Sequence, residues 1–239
     1  FAGLGAGVDV YVPGTDTVTV LPNPGSNVIM KITEDEEGML WFGTEFAGIS
    51  VYNPEDSSHY FINTEEGSRY RLTGKDIKSI LFCDGCAWIG TIGGGLNKID
   101  FKTDSVTYYS TEDGLSSNSI VSMLVDRSKN LWLSSSIGLM RFNPKTEEVV
   151  VFDKTQGTQG NEYKYNAEYK LRSGAMAFGG TDGFSLFHPD SIKNSPITPA
   201  VVFTDFKLFN ESATIGEKES VLKKHINLTE RIVLNHKQK

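Results

Sequence analysis

Short apolar runs alternate with glycine-rich or polar turns along most of the chain, and four of these runs are near copies of one another. The copies are centred on Trp41, Trp88, Trp132 and Ala177, so they follow one another after 47, 44 and 45 residues. A glycine followed by an apolar residue comes six or seven residues after each of these positions. This period predicts one supersecondary unit that is used repeatedly and stacked on itself.

Each unit reads as four short strands separated by turns. Side chains along 40–44 alternate between two faces, yet both faces are apolar or small, so both must be covered. Radially stacked propeller blades cover them because each blade lies between two neighbours. Gly43 and Gly90 are predicted to lie where another backbone or a large side chain comes close. We therefore predict an all-β fold: β-propeller blades of four antiparallel strands that form a partial propeller.

The repeat divides the chain into regions. It covers 1–193 as about four and a half blades, and the proline-containing segment 194–200 reads as a linker. Beyond the linker, 201–209 and 231–234 are predicted to be strands. Two or three strands cannot close a sandwich, so we expect 201–239 to be the truncated beginning of a second β domain.

Composition limits the function classes. The 239 residues include 24 glycines and 11% aromatic residues, which suits many short strands and tight turns. A net charge of -7, with 23 Lys and Arg spread evenly, argues against a nucleic-acid surface. The sequence contains no run of about 18 apolar residues, which is the length that a membrane-spanning helix needs, so we expect no segment of it to span a membrane. No metal-ligand spacing, phosphate loop or catalytic triad occurs, so we predict no cofactor and no metal.

Cys83 and Cys86 flank an Asp-Gly pair, which is a two-residue hairpin signal that would place the two thiols opposite each other. A redox or zinc site would need a second pair of ligands or a strand-to-helix context, and neither is present. The favoured interpretation is a pair of hairpin-flanking residues, either free or joined in a local disulfide.

Several stretches resemble a known family. Asp-Arg-Ser-Lys-Asn-Leu-Trp at 126–132, Trp-Ile-Gly-Thr followed by Gly-Gly-Gly-Leu within 88–96, and Thr-Glu-Asp-Gly-Leu-Ser-Ser-Asn at 111–118 resemble the regulator-type propeller repeats of hybrid two-component sensor proteins. The tail, at 203–210 and 232–236, resembles the start of the tyrosine-rich, immunoglobulin-like (Ig-like) domain that follows the propeller in those proteins.

The resemblance implies a periplasmic sensing region from a Gram-negative glycan degrader. The parent would be anchored in the inner membrane through a segment that this sequence does not contain, followed by a histidine kinase and a response regulator. Family members detect oligosaccharides released from polysaccharides, control transcription of the genes that use them, and commonly work as homodimers. Full members carry two propellers of about seven blades, and this chain supplies too few blades for one ring.

A ligand site is expected on one rim of the blades. Strand direction alternates within a blade, so the loop after the Trp strand and the loop that links two blades open on the same side. The linking loop at 67–74 is the richest candidate, because two guanidinium groups beside a phenol suit an acidic or sulfated sugar. Solvated loop charges and a Tyr that caps a blade edge are the alternative. The predicted ligand-binding residues are Arg69, Tyr70, Arg71, Glu45, Phe46, Asn161 and Tyr163, with Gln159 beside the last two.

Two other function classes stay open at this point. A propeller enzyme such as a lyase or glycosidase would need two carboxylates, or an acid beside a His. None of the four histidines has an acid partner at a repeated rim position, so we expect this segment not to be an enzyme. A scaffold would instead bind protein through exposed strand edges.

Overall fold

The computed structural model describes residues 8–12, 14–21, 25–26, 28–192, 203–213, 215–216, 221–229 and 231–234. The chain divides into two compact units, Phe1–Ile192 and Lys193–Lys239. The predicted linker at 194–200 lies outside the described residues. The assignment of residues 201–239 to the beginning of an Ig-like domain stays a prediction.

The first unit consists of five consecutive antiparallel meanders. We number them sheet I (β1–β2), sheet II (β3–β6), sheet III (β7–β10), sheet IV (β11–β14) and sheet V (β15–β17). The predicted all-β fold with four-stranded blades is confirmed, although sheet V has three strands and sheet I has two. The strands are β1 (Val8–Val12), β2 (Thr17–Leu21), β3 (Ile29–Glu34), β4 (Leu40–Thr44), β5 (Ile49–Tyr52), β6 (His59–Ile62), β7 (Ile77–Cys83), β8 (Cys86–Thr91), β9 (Leu96–Asp100), β10 (Ser105–Tyr109), β11 (Ile120–Val125), β12 (Leu131–Ser135), β13 (Gly138–Phe142), β14 (Val149–Phe152), β15 (Tyr163–Lys170), β16 (Met176–Gly180) and β17 (Gly183–Phe187).

The second unit contains little regular structure among its described residues. A two-residue pair forms between β18 (Lys207–Leu208) and β19 (Glu211–Ser212). The strand predicted at 231–234 is wrong, since these residues have no strand geometry, and most of the strand predicted at 201–209 is either irregular or outside the described residues. An apolar alternating run becomes a strand only where a neighbouring strand pairs with its backbone hydrogen-bonding groups. The two-residue pair β18–β19 is too short to pair with a further strand.

Helical structure in the described residues is confined to four 3-10 turns. Two of them begin the loops that follow sheets III and IV, where Ser110 and Asp153 cap the first turn and a left-handed glycine ends it. The four turns are Thr111–Asp113, Lys154–Gln156, Pro189–Ser191 and Ile226–Leu228.

Aromatic packing explains why each sheet is covered on both faces. The ring of Trp41 lies 5.2 Å from Phe82 of sheet III, and the ring of Trp132 lies 4.6 Å from Phe187 of sheet V. On the opposite face of sheet II, Phe42 packs with residues of sheet I. Fully burying such rings removes a large apolar area from water, so the contacts between sheets form the main core.

Close approach between sheets depends on glycine, as predicted. A Cβ added at Gly43 would lie 2.8 Å from Cγ2 of Ile77, and one added at Gly90 would lie 2.9 Å from Cγ2 of Ile120. Both distances are far below van der Waals contact, so the Trp strand of one sheet can meet the first strand of the next only where this side chain is absent.

The first strands of neighbouring sheets lie against one another, so that β3 contacts β7, β7 contacts β11, and β11 contacts β15. Sheet V also reaches back to sheet II, because Lys31 Nζ pairs with Glu168 Oε1 at 2.7 Å and Asn166 Nδ2 donates to the Met30 carbonyl oxygen at 3.0 Å. These contacts bring the four first strands together without forming a closed barrel among the described residues.

Cys83 and Cys86 pair directly across the β7–β8 hairpin, as predicted. Both are buried and free. Burial is the main cause that raises the pKa of each thiol. A raised pKa lowers the thiolate fraction on which redox and metal chemistry depend, which favours the structural interpretation.

Candidate functional site

The loops that follow the Trp strands and the loops that link sheets lie on one rim, as the strand directions require. Gly48 N donates to the Lys75 carbonyl oxygen at 2.8 Å, and Gly95 N donates to the Asn118 carbonyl oxygen at 2.7 Å. In each pair, a turn of one sheet bonds the end of the loop that enters the next sheet. The rim is therefore a hydrogen-bonded edge of the fold.

One cavity of about 470 Å³ opens on this rim, and we call it the rim pocket. Two phenylalanine rings, Phe46 and Phe61, stand beside polar groups of the linking loop. Its lining residues are Gly25, Phe46, Ala47, Phe61, Asn63, Thr64, Glu65 and Lys75. An apolar surface with a few polar groups is the usual make-up of a small-molecule site.

Phe46 is the most informative residue of the rim pocket. Its side chain is 64% exposed, and its backbone has a φ of 73°. A bulky residue in this left-handed region is unusual and strained, and such strain clusters at functional sites. The turn therefore holds an aromatic ring out toward solvent at a conformational cost.

Glu45, the neighbouring predicted residue, points toward the first strands of the sheets. It lies 3.7 Å from Lys78 Nζ, which also pairs with Asp76 at 2.8 Å. The Lys78 ammonium stands 5.2 Å from the centre of the Tyr165 ring. Glu45 thus helps to neutralise a buried lysine, and it does not line the rim pocket.

A second cavity, of about 420 Å³, lies between sheets II and III, and we call it the inter-blade cleft. Turns from the end of the sheets opposite the rim contribute to it, and so does the linking loop through Arg69 and Tyr70. Its lining residues are Asp35, Glu36, Glu37, Met39, Trp41, Tyr60, Arg69, Tyr70, Phe82, Gly85, Cys86, Phe101 and Lys102.

Tyr70 lines the inter-blade cleft. The residue is 3% exposed, and its hydroxyl donates to Asp104 Oδ1 at 2.6 Å. The Arg69 guanidinium carbon stands 5.0 Å from the centre of the Tyr70 ring, and Arg69 also reaches Asp104 at 3.4 Å. Burial, together with the hydrogen bond to Asp104, raises the pKa of Tyr70 to about 12.

This shift predicts how the chain titrates. Because the neutral phenol is favoured in the folded state, the stability that Tyr70 contributes is complete below its unfolded pKa of about 10 and is lost as the pH rises to about 12. Absorbance at 295 nm should show a late tyrosinate step in the folded chain that shrinks in Tyr70→Phe. In urea, all nine tyrosines should ionise near pH 10. An unchanged late step in the variant would show that Tyr70 is not its source.

The remaining predicted residues do not join Arg69 and Tyr70. Arg71 donates from Nε to the Thr64 carbonyl oxygen at 3.1 Å, which places it next to the rim pocket. Tyr163 is 3% exposed, and its hydroxyl lies 2.8 Å from Ser185 Oγ. Gln159 bonds the same serine through its backbone, and Asn161 is exposed on the adjacent bend. The seven predicted residues therefore lie in at least three places.

Sequence reasoning missed several cavity residues. Phe61 and Lys75 in the rim pocket carried no visible signal, because one is a strand residue and the other an ordinary loop charge. In the inter-blade cleft, Glu36 and Glu37 read as turn residues, and Phe101 was not singled out. Phe101 did carry a signal, because it stands where the other copies of the repeat have a proline.

The part of the chain that the structure describes contains no group of three or more His, Cys, Asp and Glu residues able to hold a metal ion. None of its helices is long and apolar enough to cross a membrane.

Comparison with known proteins identifies the repeats. The model of the two component regulator propeller family matches residues 23–46 and 114–136, which fall in sheets II and IV and the segments before them. The chain is also 29% identical to histidine kinase P4 of Formosa agariphila over 95% of its own length, and it spans 21% of that protein.

Solved structures show the same fold. The extracellular domain of BT4673 from B. thetaiotaomicron, described as a one component system, matches with a TM-score of 0.65 and 21% identity over 79% of this chain and 28% of that domain. Another structure of that domain, described as part of a hybrid two component system, matches with a TM-score of 0.57 and 22% identity over 70% of this chain and 23% of that one. Virginiamycin B lyase of Staphylococcus aureus matches with a TM-score of 0.53 and 15% identity over 74% of this chain and 61% of the lyase. The resemblance of the blades to the regulator propeller repeats of two-component sensors is confirmed.

Proposed function

We propose, from the premise that this chain is built of two-component regulator propeller repeats, that it belongs to the ligand-sensing, periplasmic region of a hybrid two-component sensor. In this proposal the parent protein is anchored in the inner membrane and acts as a histidine kinase and response regulator. The ligand is an oligosaccharide released from a polysaccharide, and its binding controls transcription.

The observation that carries the proposal is the presence of these repeats together with an exposed aromatic pocket on the rim that they form. The fold match to extracellular sensor domains supports the class of protein. The chain spans about a fifth of the histidine kinase to which it is similar, so kinase activity and membrane anchoring belong to the proposed parent.

The rim pocket has the chemistry that a sugar requires. A pyranose ring has an apolar face of C–H groups, which can lie against an exposed ring such as Phe46. Its hydroxyls can donate to Glu65 and accept from Lys75 or from the amide of Asn63. Because Phe46 is already held outward by its turn, little conformational freedom is lost when the ligand binds.

Calorimetry with the 239-residue chain and a panel of neutral oligosaccharides tests this function. We expect binding heat with a defined sugar and at least tenfold weaker binding in Phe46→Ala, which corresponds to about 1.4 kcal/mol. Phe184→Ala is the matched control, since that ring is 66% exposed and lines neither cavity. Self-association that depends on concentration, without a response to any sugar, would instead support the scaffold function.

The proposed signal is a shift between two states of a homodimer. A ligand moves such an equilibrium only through its different affinity for the two states. A parent protein that binds sugar while its dimer geometry and kinase output stay the same would contradict this mechanism.

We propose that the segment binds its ligand and does not cleave it. The similarity to a lyase concerns the fold. His188 Nδ1 lies 3.6 Å from Asp190 Oδ2 in an exposed turn, and neither residue lines the rim pocket or the inter-blade cleft. Incubation with polysaccharides should therefore release no new reducing ends and no unsaturated products.

A further inference from the structure

Three departures from the repeat converge on the inter-blade cleft. The first is the loop that links sheets II and III, which has fourteen residues (63–76), whereas the loops at 110–119 and 153–162 have ten each. The first five residues of each loop end in glycine, and Leu72 and Leu115 are both buried after it, so the four additional residues are 68–71. This insertion carries Arg69 and Tyr70 into the cleft.

The second departure is Phe101. Six residues after the repeated glycine, the other four copies have a proline, at Pro13, Pro54, Pro144 and Pro189, and sheet III alone has a phenylalanine. Its ring is 39% exposed and lies 6.1 Å from Trp41 and 6.3 Å from Tyr70. Proline suits these turns because its φ is fixed, so this exchange gives up a favourable turn residue for an exposed aromatic ring.

The third departure is the turn before the Trp strand. It has five residues in sheets II, IV and V, at 35–39, 126–130 and 171–175, but two residues in sheet III, at 84–85. Gly85 lines the cleft, so the shorter turn leaves space where the other sheets have chain. Insertions in repeat proteins often gather on the binding face, and local rules are broken mainly at functional sites.

The charges around the cleft include three that the fold leaves unpaired among the described residues and one, on Arg69, that has only a long contact with a carboxylate. Asp35 accepts the indole N–H of Trp41 at 2.8 Å, and Asp104 accepts the Tyr70 hydroxyl, so both carboxylates are occupied. The side chains of Glu36, Glu37 and Lys102 make no hydrogen bond or ion pair with the described residues. Arg69 is 61% exposed and meets Asp104 at a long 3.4 Å, so most of its donors are free for a ligand.

We propose that the inter-blade cleft is a second sugar site, which takes an acidic pyranose unit bearing a carboxylate or sulfate group. The anionic group lies against Arg69 and Lys102, the ring lies on Phe101, and sugar hydroxyls donate to Glu36 and Glu37. Arginine suits a planar oxyanion because its N–H groups can bind two oxygens at once. The insertion brings a cation and a phenol to the cleft, and Lys102 adds a second cation, so an anionic group has two positive partners there beside the carboxylates of Asp35, Glu36 and Glu37. This site rests on the proposed function in that both sites bind oligosaccharides, but it is separate from the rim pocket.

Calorimetry with three tetrasaccharides of equal length tests the cleft: an oligogalacturonate, a sulfated galactose oligomer and a neutral galactose oligomer. The chain should bind at least one acidic probe ten or more times more tightly than the neutral one. Arg69→Met and Phe101→Pro should each weaken acidic binding at least tenfold, and the second variant restores the proline of the other copies. Arg127→Met is the matched control, because the Arg127 side chain is 65% exposed, close to the 61% of Arg69, and lines neither the cleft nor the rim pocket.

The outcomes separate the two proposals. Circular dichroism and thermal melting confirm that each variant is folded, and Phe101→Ala replaces Phe101→Pro if the latter does not fold. Binding of neutral sugar that depends on Phe46, with no preference for acidic probes, overturns the cleft site and leaves the proposed function standing. Acidic binding that is lost in Phe46→Ala but retained in Arg69→Met also overturns the cleft site. An absence of heat with every sugar tested overturns both proposals.

Discussion

Trp132→Ala is expected to lower the free energy of unfolding of the chain by about 3 to 5 kcal/mol. Trp132 is fully buried between sheets IV and V, with its ring 5.3 Å from Phe152 and 4.6 Å from Phe187. Truncation at Cβ removes the transfer free energy of the indole and leaves a cavity, since the two rigid sheets can close the gap only in part.

Trp132→Phe separates packing from hydrogen bonding. The indole N–H donates to Asp126 Oδ2 at 3.1 Å, and Asp126 also accepts from Asn130 to fix the hairpin turn. Phenylalanine keeps most of the apolar volume but leaves a buried carboxylate oxygen with one donor fewer, which should cost about 1 to 3 kcal/mol. Urea unfolding followed by circular dichroism measures both variants. If the two substitutions cost the same, the volume of the ring is not what holds sheets IV and V together.

Gly95→Ala is expected to destabilise the chain by about 2 to 5 kcal/mol, more than the same exchange two residues earlier. Gly95 has a φ of 73°, and a Cβ there would collide with the carbonyl oxygen of Tyr109, which is backbone and cannot move aside easily. The left-handed conformation costs about 1 to 2 kcal/mol for alanine, and the overpacking adds about 1 to 3 kcal/mol.

Gly93→Ala is the matched control for this prediction. Gly93 has a similar φ of 80°, but nothing lies within 4 Å of an added Cβ, so only the conformational cost of about 1 to 2 kcal/mol should remain. The difference between the two unfolding free energies isolates the close approach of the turn to the end of β10. Equal effects would show that φ alone decides the cost at both positions.

The period of the sequence was sufficient to predict the sheets because its cause is local. Apolar residues on both faces of the Trp strand must be covered on each side, and Gly43 and Gly90 leave the space that lets the next sheet come close. The hairpin that joins Cys83 to Cys86 follows from its Asp-Gly turn in the same way. The strand predicted at 231–234 does not form, because an alternating pattern makes a strand only when a partner strand pairs with it.

The position of the loop residues could not be predicted in this way. Arg69, Tyr70 and Arg71 are adjacent in sequence, yet Tyr70 is fixed by Asp104, thirty-four residues away, while Arg71 turns to the Thr64 carbonyl oxygen. Tyr163 looked like a ligand contact on the rim and is a core residue bonded to Ser185. Nothing in the local pattern encodes such distant partners.

The sequence by itself determined that this protein is a series of antiparallel sheets with apolar faces, because strand alternation and turn chemistry act over a few neighbouring residues. The tertiary structure decided which loop side chains meet. It brought the insertion at 68–71, the ring of Phe101 and the short turn at 84–85 to one cleft between two sheets. The physical reason is that side-chain direction in a loop depends on contacts with the next sheet, and those contacts exist only after the sheets have packed.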